Sequence, residues 1–396
     1  MAKHGSDYLI IGGGLAGASA VEGIREHDQS GSITIVGAEN HLPYDRPPLS
    51  KKLWFGKAEV KDIFLHDEAF YDGNGVTLLT GRRVVALDLK NRTVSDNRGE
   101  SHGFRKLLLA TGGTPRVLSI PGGELNGLLY YRTVDDYQKA REAAAEGKSA
   151  VVIGGGFIGS EVAAALSMNH VKVIMIYPSA YLCDRVFPKD LGLAMETRYQ
   201  SRGITILKGQ KPVAIERKDS RFLVRTSAGE EARADLIIIG IGINPRVELA
   251  EQAGLSTHDG IIVNEYLQTS HPDIYAAGDN ARFPYQALGQ QTRVEHWDNA
   301  LNQGKHAGKN MAGAYEPFSY MPYFFSDLFE FGYEAVGEVS SQLKTVAEWE
   351  KQHDTGTIYY LRDGKIRGAM MCNVWDKVDE ARDLIRRAVG VSERVI

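Results

Sequence analysis

Two short glycine-rich segments have the residue types and spacing that cradle dinucleotide phosphates. Gly12-Gly-Gly-Leu-Ala-Gly17 and Gly154-Gly-Gly-Phe-Ile-Gly159 both match GxGxxG, and each follows a short apolar run. The first two glycines permit a tight turn close to a pyrophosphate, and the third lets a helix pack on the strand. The amides at the helix N-terminus then attract the phosphates. One such motif is a weak signal, since a tight turn without a ligand also fits, but two in the same context predict two dinucleotide sites.

The segment after the second strand of each unit differs between the two copies. Glu39 lies 25 residues after Gly14, where a carboxylate can bind the ribose hydroxyls of an adenosine. The corresponding segment of the second copy, Ile176-Tyr-Pro-Ser179, has no carboxylate. Ser179 with Arg185 could accept a 2′-phosphate, or Arg185 is an ordinary surface charge. These residues leave the choice between NADH and NADPH open.

The elements that position both motifs are predicted from apolar runs on either side of them. These runs cover residues 7–11 and 33–36 around the first motif, and residues 150–153 and 171–176 around the second. Between the runs of each pair, apolar residues recur at helical spacing. The pattern predicts two βαβ units, each with a parallel sheet.

The domain boundaries are predicted from strand-like runs that Gly and Pro interrupt. Such runs occupy residues 107–115 and 236–245, and a third ends at Gly278-Asp279. They predict a first domain at 1–115 and 245–316, with a second domain, 116–244, inserted into it. A hairpin turn at Asp363-Gly364 and an amphipathic helix at 377–388 indicate a third domain, 317–396. The predicted fold is α/β, with two nested Rossmann-like domains and a C-terminal α+β domain.

Composition excludes several classes of function. The net charge of −4 gives no reason to expect nucleic acid or an anionic membrane as a partner. Cys183 and Cys372 form no CxxC pair, zinc spacing or disulfide framework, which favours a reducing compartment and predicts no metal site. Apolar runs are far shorter than the ~20 residues of a membrane span. A strand is expected by Asp7, which leaves no room for a leader peptide, so we expect a cytoplasmic protein.

The whole pattern resembles the FAD- and NAD(P)H-dependent pyridine nucleotide-disulfide oxidoreductase superfamily. Leu42-Pro-Tyr-Asp-Arg-Pro-Pro-Leu-Ser-Lys51 resembles the ferredoxin reductases of oxygenase systems and apoptosis-inducing factor. Segments 295–300, 325–328 and 332–337 resemble apoptosis-inducing factor and its microbial relatives more closely. The long loop in the last domain of the mammalian factor has no counterpart here. The redox-active cysteine pair of the disulfide reductases is also missing from residues 46–51, so electrons should pass from the flavin directly to an acceptor.

The motifs and the resemblance together imply a set of cofactor-binding residues. For FAD these are Gly12, Gly14, Ala16, Gly17, Glu39, Arg46, Lys51, Val84, Thr111, Gly112, Arg132, Gly278, Asp279, Glu295, His296 and Trp297. For the nicotinamide side they are Gly154, Gly156, Phe157, Ile158, Gly159, Glu161, Ser179 and Gly242. Asp279 matches the residue that holds the ribityl chain, although an Asp after Gly278 could be only a turn residue.

The resemblance also implies which residues act at the reacting end of the flavin. Lys51 and Glu161 match a pair beside flavin N5, where a cation stabilises arriving electron density. The alternatives are a solvated lysine and a glutamate that the helix dipole favours. Phe157 matches an aromatic ring that covers the flavin, or is a packing residue. Trp297 is expected near the flavin or in the core, and the helix predicted from Asp298 would aim its N-terminus at the pyrimidine end.

The function implied is that of an FAD-dependent NAD(P)H:acceptor oxidoreductase. Ferredoxin or rubredoxin is the acceptor that the resemblance implies, with a quinone or dioxygen next. The alternative is a redox-sensing interaction protein like apoptosis-inducing factor, in which slow oxidation of NADH changes conformation or dimerisation. A homodimer is compatible with either interpretation.

Overall fold

The computed structural model describes residues 4–390 and divides into two compact units. The first unit takes residues up to 45, 61–114 and 244–323, and the second takes 46–60, 115–243 and residues from 324 onward. Segment 46–60 therefore belongs with the second unit. The three-domain division stays a prediction.

The elements follow one another in chain order. Residues 4–115 form β1 (His4–Ile11), α1 (Leu15–His27), β2 (Ile33–Val36), α2 (Glu68–Gly73), β3 (Val76–Leu79), β4 (Val84–Asp88), β5 (Thr93–Asp96), β6 (Ser101–Leu109) and β7 (Gly113–Pro115). Residues 128–245 form β8 (Leu128–Tyr130), α3 (Val134–Ala143), β9 (Ser149–Ile153), α4 (Phe157–Met168), β10 (Lys172–Tyr177), α5 (Lys189–Ser201), β11 (Thr205–Lys208), β12 (Pro212–Lys218), β13 (Arg221–Thr226), β14 (Glu231–Ala234), β15 (Leu236–Ile239) and β16 (Ile243–Pro245). Residues 248–311 form α6 (Glu248–Gln252), β17 (Ile261–Ile262), β18 (Ile274–Ala276), β19 (Ala281–Tyr285), β20 (Gln290–Arg293) and α7 (Trp297–Met311). The last elements are β21 (Tyr323–Leu328), β22 (Phe331–Gly337), β23 (Lys344–Lys351), β24 (Thr355–Arg362), β25 (Lys365–Cys372) and α8 (Val378–Arg386).

The first unit is built on a seven-stranded sheet. Its order is β3-β2-β1-β6-β5-β4, and β18 pairs with β6. The strands β1, β2, β3, β6 and β18 run parallel, which places their carboxyl ends at one edge. Helices α1 and α7 pack closely because both carry glycines: a Cβ on Gly308 would lie 2.2 Å from the carbonyl oxygen of Ala20. The first predicted βαβ unit is confirmed.

The second unit contains a parallel sheet and two antiparallel sheets. The parallel sheet has the order β11-β10-β9-β15-β8, so the second predicted βαβ unit is confirmed. The sheet β21-β22-β25-β24-β23 carries α8, in agreement with the predicted C-terminal strands and helix. Asp363 and Gly364 turn between β24 and β25 with φ of 52° and 75°, as a two-residue hairpin requires. The predicted α/β class is confirmed. Within residues 4–390, no helix combines the length and apolarity of a membrane span.

Asp96 is a buried carboxylate at the end of β5. It accepts hydrogen bonds from the backbone amides of Arg98 and Glu100 at 2.9 and 3.0 Å and from the Arg82 guanidinium at 2.9 Å. His102 Nε2 lies 3.2 Å from the same carboxylate, and Arg82 also pairs with Glu100. Burial alone would raise the pKa of Asp96, but these donors outweigh it and lower the pKa to about 2.

Asp96→Asn is expected to destabilise the protein at pH 7 by about 2 kcal/mol, since the native pKa lies about two units below the ordinary value. A lowered native pKa contributes stability that is present above about pH 4 and is lost as the pH falls towards 2. Urea unfolding from pH 2 to 7 should therefore show a gap between the two proteins that narrows below pH 4. The exposed Asp219→Asn serves as control, and a gap independent of pH would contradict the assignment.

Candidate functional site

The first glycine motif is closed on the protein side and open at its centre. Gly12 has φ of 125°, and a Cβ there would lie 2.0 Å from the carbonyl oxygen of Ala110. A Cβ on Gly17 would lie 2.0 Å from the carbonyl oxygen of Gly12, so only glycine lets α1 pack this closely. Gly14, the N-cap of α1, has nothing within 4 Å of an added Cβ. The loop therefore leaves space where a pyrophosphate would approach the helix N-terminus.

The second glycine motif repeats this arrangement in the second unit. Gly154 has φ of 122°, and a Cβ there would lie 2.2 Å from the carbonyl oxygen of Gly240. A Cβ on Gly159 would lie 2.1 Å from the carbonyl oxygen of Gly154. Gly156, the N-cap of α4, again has nothing within 4 Å. Both predicted motifs thus have the backbone geometry of dinucleotide cradles.

Residues after β6 and β18 meet at the carboxyl edge of the first sheet. Thr111 Oγ1 donates to the carbonyl oxygen of Arg246 at 2.8 Å and accepts from Asn280 Nδ2 at 2.9 Å. Gly278 has φ of 88°, and its N–H donates to Gln303 Oε1 at 2.9 Å. Asn280 and Gln303 were missed by the sequence analysis. The Asn directly after Gly-Asp was a usable signal, whereas nothing in the sequence distinguished Gln303.

Three buried amides of the first unit provide a test of whether a cofactor fits there. Asn280 Oδ1, Asn299 Oδ1 and Gln303 Nε2 are buried and have no hydrogen-bond partner among residues 4–390. Buried polar atoms rarely go without a partner. Gln303 binds Gly278 and therefore lies at the carboxyl edge of the first sheet. A polar ligand at this edge would supply the hydrogen-bond partners that the buried amides lack. The residues of this unit therefore fit a dinucleotide.

Four further predicted residues of the first unit lie on or shortly after β2, β4, β6 and α1. Glu39 follows β2, and its Oε2 accepts from the Tyr44 hydroxyl at 2.5 Å. Val84 is the first residue of β4 and is buried. Gly112 has φ of 62°, and its carbonyl oxygen accepts from the Arg246 amide at 2.9 Å. Ala16 lies in the first turn of α1, where a Cβ on Gly278 would be 3.2 Å from its Cβ.

Residues 295–297 lead into α7, which begins one residue earlier than predicted. His296 is the N-cap, and burial lowers its pKa to about 4 although the charge of Asp279 opposes the shift. Trp297 Nε1 donates to Asp45 Oδ1 at 2.7 Å. Glu295 accepts from Arg293, which also donates to the carbonyl oxygen of Asp279. The indole is thus held by a specific acceptor, and Asp279 lies close to the start of α7.

The predicted lysine–glutamate pair is formed in the second unit. Lys51 caps the short 3₁₀ turn Pro47–Ser50, and its Nζ lies 2.7 Å from Glu161 Oε1. Glu161 is the fifth residue of α4, beyond the first turn, so the ion pair explains it better than the helix dipole does. Only 12% of the Lys51 side chain and 5% of the Glu161 side chain are exposed. Burying both charges costs desolvation energy, so this pair is weak evidence for a gain in stability.

Two serines complete the coordination of Glu161. Ser50 Oγ donates to Glu161 Oε2 at 2.5 Å, and Ser326 Oγ on β21 donates to Oε1 at 2.5 Å. The ring of Phe325 lies 5.3 Å from Lys51 Nζ, within the range of a cation–π contact. Segment 325–328 resembles apoptosis-inducing factor, but nothing in the sequence predicts a role for its serine.

Three further predicted residues of the second unit contact partners outside the Lys51–Glu161 pair. Arg46 Nη1 donates to the carbonyl oxygen of Arg132 at 2.8 Å, just before α3. Phe157, the first residue of α4, packs against Phe324 with ring centroids 5.4 Å apart.

Three predicted residues lie within the second glycine motif or follow strands of the parallel sheet in the second unit. Ile158 is 40% exposed next to the glycine turn. Ser179 follows β10, and Gly242 follows β15 with φ of 95°. None of these is linked to Lys51 by a hydrogen bond within the described chain.

Ser326→Ala is expected to lower stability by about 1–2 kcal/mol, because Glu161 loses a buried donor. The readout is the urea midpoint at pH 7. Ser167→Ala removes a longer bond, 3.4 Å, from a partly exposed hydroxyl and is expected to change the midpoint little. Equal midpoints for Ser326→Ala and the wild type would show that this hydroxyl does not support Glu161.

Comparison with known proteins agrees with this geometry. The family model described as pyridine nucleotide-disulphide oxidoreductase matches residues 6–304, and the C-terminal model of mitochondrion-associated apoptosis-inducing factor matches residues 307–357. The mitochondrial apoptosis-inducing factor 1 of Dictyostelium discoideum is 32% identical, over 96% of this chain and 78% of that protein. The ferredoxin–NAD(+) reductase component of the anthranilate 1,2-dioxygenase system of Burkholderia cepacia is 33% identical, over 96% and 93%.

A solved structure has the same fold. The covalent complex of putidaredoxin reductase with putidaredoxin matches with a TM-score of 0.92 and 30% identity, over 97% of this chain and 94% of that chain. Family, fold and the two glycine cradles agree. This chain therefore belongs to the pyridine nucleotide-disulphide oxidoreductase family, in the branch of the ferredoxin reductases and apoptosis-inducing factor, and is an FAD-dependent NAD(P)H oxidoreductase.

Proposed function

We propose that this protein takes a hydride from NAD(P)H onto bound FAD and passes single electrons to a small iron–sulfur protein of the ferredoxin class. The observation that carries the proposal is the Lys51–Glu161 pair with its two serine donors. FAD, when bound, supplies the conversion between two-electron and one-electron chemistry. The protein residues bind, orient and provide charge.

Each of the two glycine cradles is assigned one dinucleotide. In this proposal Gly12, Gly14 and Gly17 hold the FAD pyrophosphate, while Gly154 and Gly156 hold that of NAD(P)H. Their open N-caps offer amides and a positive helix end to the phosphates. Thr111, Gly278 and Asp279 lie along the carboxyl edge of the first sheet, where ligands of open α/β sheets bind.

Lys51 supplies the positive charge for the reacting end of the flavin. Glu161 accepts from the Lys51 ammonium and from both serine hydroxyls, which holds the ammonium in one orientation. A cation held in place before the reaction needs no reorganisation when negative charge develops, and such placement is a large contribution to catalysis. We assign Lys51 to this role and Glu161 to positioning it.

The state of the two cysteines supports electron transfer from the flavin directly to the acceptor, without a dithiol. Cys183 and Cys372 are both free and buried, and burial raises the pKa of the Cys183 thiol to about 12. A thiol held in its neutral form is a poor nucleophile and redox group. The relatives named for a ferredoxin–NAD(+) reductase and putidaredoxin reductase support a small redox protein as acceptor.

A second candidate is a redox-sensing interaction protein. It is favoured by the match of residues 307–357 to the C-terminal model of apoptosis-inducing factor and by the Dictyostelium relative. In that case reduction by NADH would be slow to reverse, and turnover would be incidental. Quinone or dioxygen reduction is the remaining route. A cytoplasmic location and a homodimer stay predictions, to be tested by cell fractionation and light scattering.

Anaerobic stopped-flow mixing of the FAD-loaded protein with NADH and NADPH tests the first half of the proposal. Bleaching of the flavin absorbance should occur, and later addition of an oxidised ferredoxin should restore it within seconds. A long-wavelength band that persists, with slow reoxidation by every acceptor, would favour the sensor. Reoxidation by dioxygen or a quinone but not by ferredoxin would show that the acceptor is not an iron–sulfur protein of the ferredoxin class.

A further inference from the structure

The two glycine motifs can be aligned residue by residue through their backbone hydrogen bonds. The amide of Gly12 donates to the carbonyl oxygen of Val36 at 2.9 Å, and the amide of Gly154 donates to that of Ile176 at 2.9 Å. Each of these acceptors also pairs with the residue just before its motif in a parallel register. Val36 and Ile176 therefore occupy the same position in their units.

Counting on from this register places Ser179 where the first unit has Glu39. A second pair of hydrogen bonds agrees: the amide of Gly81 donates to the carbonyl oxygen of Glu39 at 2.9 Å, and the amide of Gly209 donates to the carbonyl oxygen of Ser179 at 3.1 Å. The two residues thus share a backbone position at the end of the second strand of their units. That position holds the carboxylate which binds the adenosine ribose hydroxyls in dinucleotide folds.

Replacing a carboxylate with a hydroxyl changes which adenosine can bind. A carboxylate accepts from both ribose hydroxyls and repels a 2′-phosphate through like charge. The Ser179 hydroxyl, half-buried and donating to the carbonyl oxygen of Tyr181 at 3.2 Å, can instead donate to a phosphate oxygen. The position no longer excludes the 2′-phosphate.

A buried carboxylate that contacts Tyr177 is neutralised by its own partners. Glu196 is 4% exposed and accepts from the Tyr177 hydroxyl at 2.8 Å and from Lys208 Nζ at 2.6 Å. Tyr177 is two residues before Ser179, and Lys208 directly precedes Gly209. The charge of Glu196 is therefore balanced close to the position that Ser179 occupies.

The loop after β10 also carries an exposed cationic side chain, that of Arg185. The amide of Cys183 donates to the carbonyl oxygen of Gly155 at 2.8 Å, which holds the loop after β10 against the glycine turn. Arg185 lies two residues further on, is exposed, and has no carboxylate within 4 Å among residues 4–390. Arginine on a loop beside a nucleotide cradle suits a phosphate because its donors are forked and permanently charged.

We propose that Ser179 and Arg185 form a binding position for the 2′-phosphate, so that the nicotinamide site of this chain accepts NADPH as well as NADH. The inference rests on the proposed use of the second glycine motif for NAD(P)H, and it is independent of the acceptor. The dissociation constant for NADPH is expected to be within tenfold of that for NADH.

The test measures reduction of the flavin as a function of NADH or NADPH concentration, without any acceptor, in four proteins. Ser179→Glu should raise the ratio of the NADPH to the NADH dissociation constant roughly 30-fold, because it restores the repelling charge. Arg185→Ala should raise the same ratio roughly tenfold. Ser201→Glu, which adds the same charge at the end of α5, should leave the wild-type ratio as it is.

Calorimetry separates this inference from the proposed function. ADP-ribose and its 2′-phosphorylated form are titrated into the FAD-loaded wild type and into FAD-loaded Ser179→Glu. Neither ligand carries a nicotinamide, so neither can reduce the flavin. Comparable affinities in the wild type and a selective loss of the phosphorylated ligand in the variant support the proposal. Wild-type discrimination of more than about tenfold against the phosphorylated ligand, or an equal loss of both ligands in the variant, overturns it. Failure to reduce ferredoxin would leave either result standing.

Discussion

Gly156→Val is expected to abolish flavin reduction by NAD(P)H, with a loss of at least about 10³-fold at a fixed nucleotide concentration, while FAD stays bound. Gly156 has φ of −90° and ψ of −165°, which valine adopts without strain, and its added Cβ meets nothing within 4 Å. The side chain would occupy only the space where a pyrophosphate approaches α4. Stopped-flow reduction and the flavin absorbance spectrum measure the two properties separately.

Gly14→Val is the matched variant in the first unit. Gly14 has φ of −99° and ψ of −171° and the same open surroundings, so the change should remove FAD and leave the fold intact. ADP-ribose binding by calorimetry should persist in Gly14→Val and be lost in Gly156→Val. Loss of both ligands from either variant would contradict the assignment of one cradle to each dinucleotide.

Lys51→Met is expected to slow flavin reduction by roughly 10²-fold at saturating nucleotide, because one preorganised charge is typically worth that much. It should also lower stability by up to about 3–5 kcal/mol, since Glu161 stays buried without its cation. Ser50 and Ser326 keep donating to Glu161, which should reduce this loss. The limiting rate in stopped flow and the thermal midpoint are the two measurements.

The double variant Lys51→Met/Glu161→Gln separates chemistry from folding. Removing both charges eliminates the uncompensated carboxylate, so the thermal midpoint should recover most of the loss while the reduction rate stays low. Recovery of the rate together with stability would show that Lys51 acts only on the fold. An unchanged rate in Lys51→Met alone would remove its assigned role.

Local sequence determined the parts of this protein that depend on neighbouring residues. The glycine spacing at 12–17 and 154–159 predicts tight turns because Gly12 and Gly154 need positive φ and Gly17 and Gly159 need close backbone contact. Asp363-Gly364 predicts the hairpin for the same conformational reason. Apolar periodicity predicts the βαβ units, since strand and helix repeats are short-range patterns.

Only the tertiary structure decided which distant residues meet. Ser326 donates to Glu161 across 165 residues of chain, and Ser50 donates across 111. Asn280 binds Thr111 across 169 residues, and the equivalence of Ser179 with Glu39 depends on strand register. A serine or asparagine looks the same in the sequence whether its side chain caps a helix, bonds within a turn or makes a buried contact with a distant residue. Its hydrogen-bond partner is set by the tertiary fold. Spacing along the chain can therefore predict the cradles, while the donors that complete the charged pair are set by packing between strands and helices far apart in sequence.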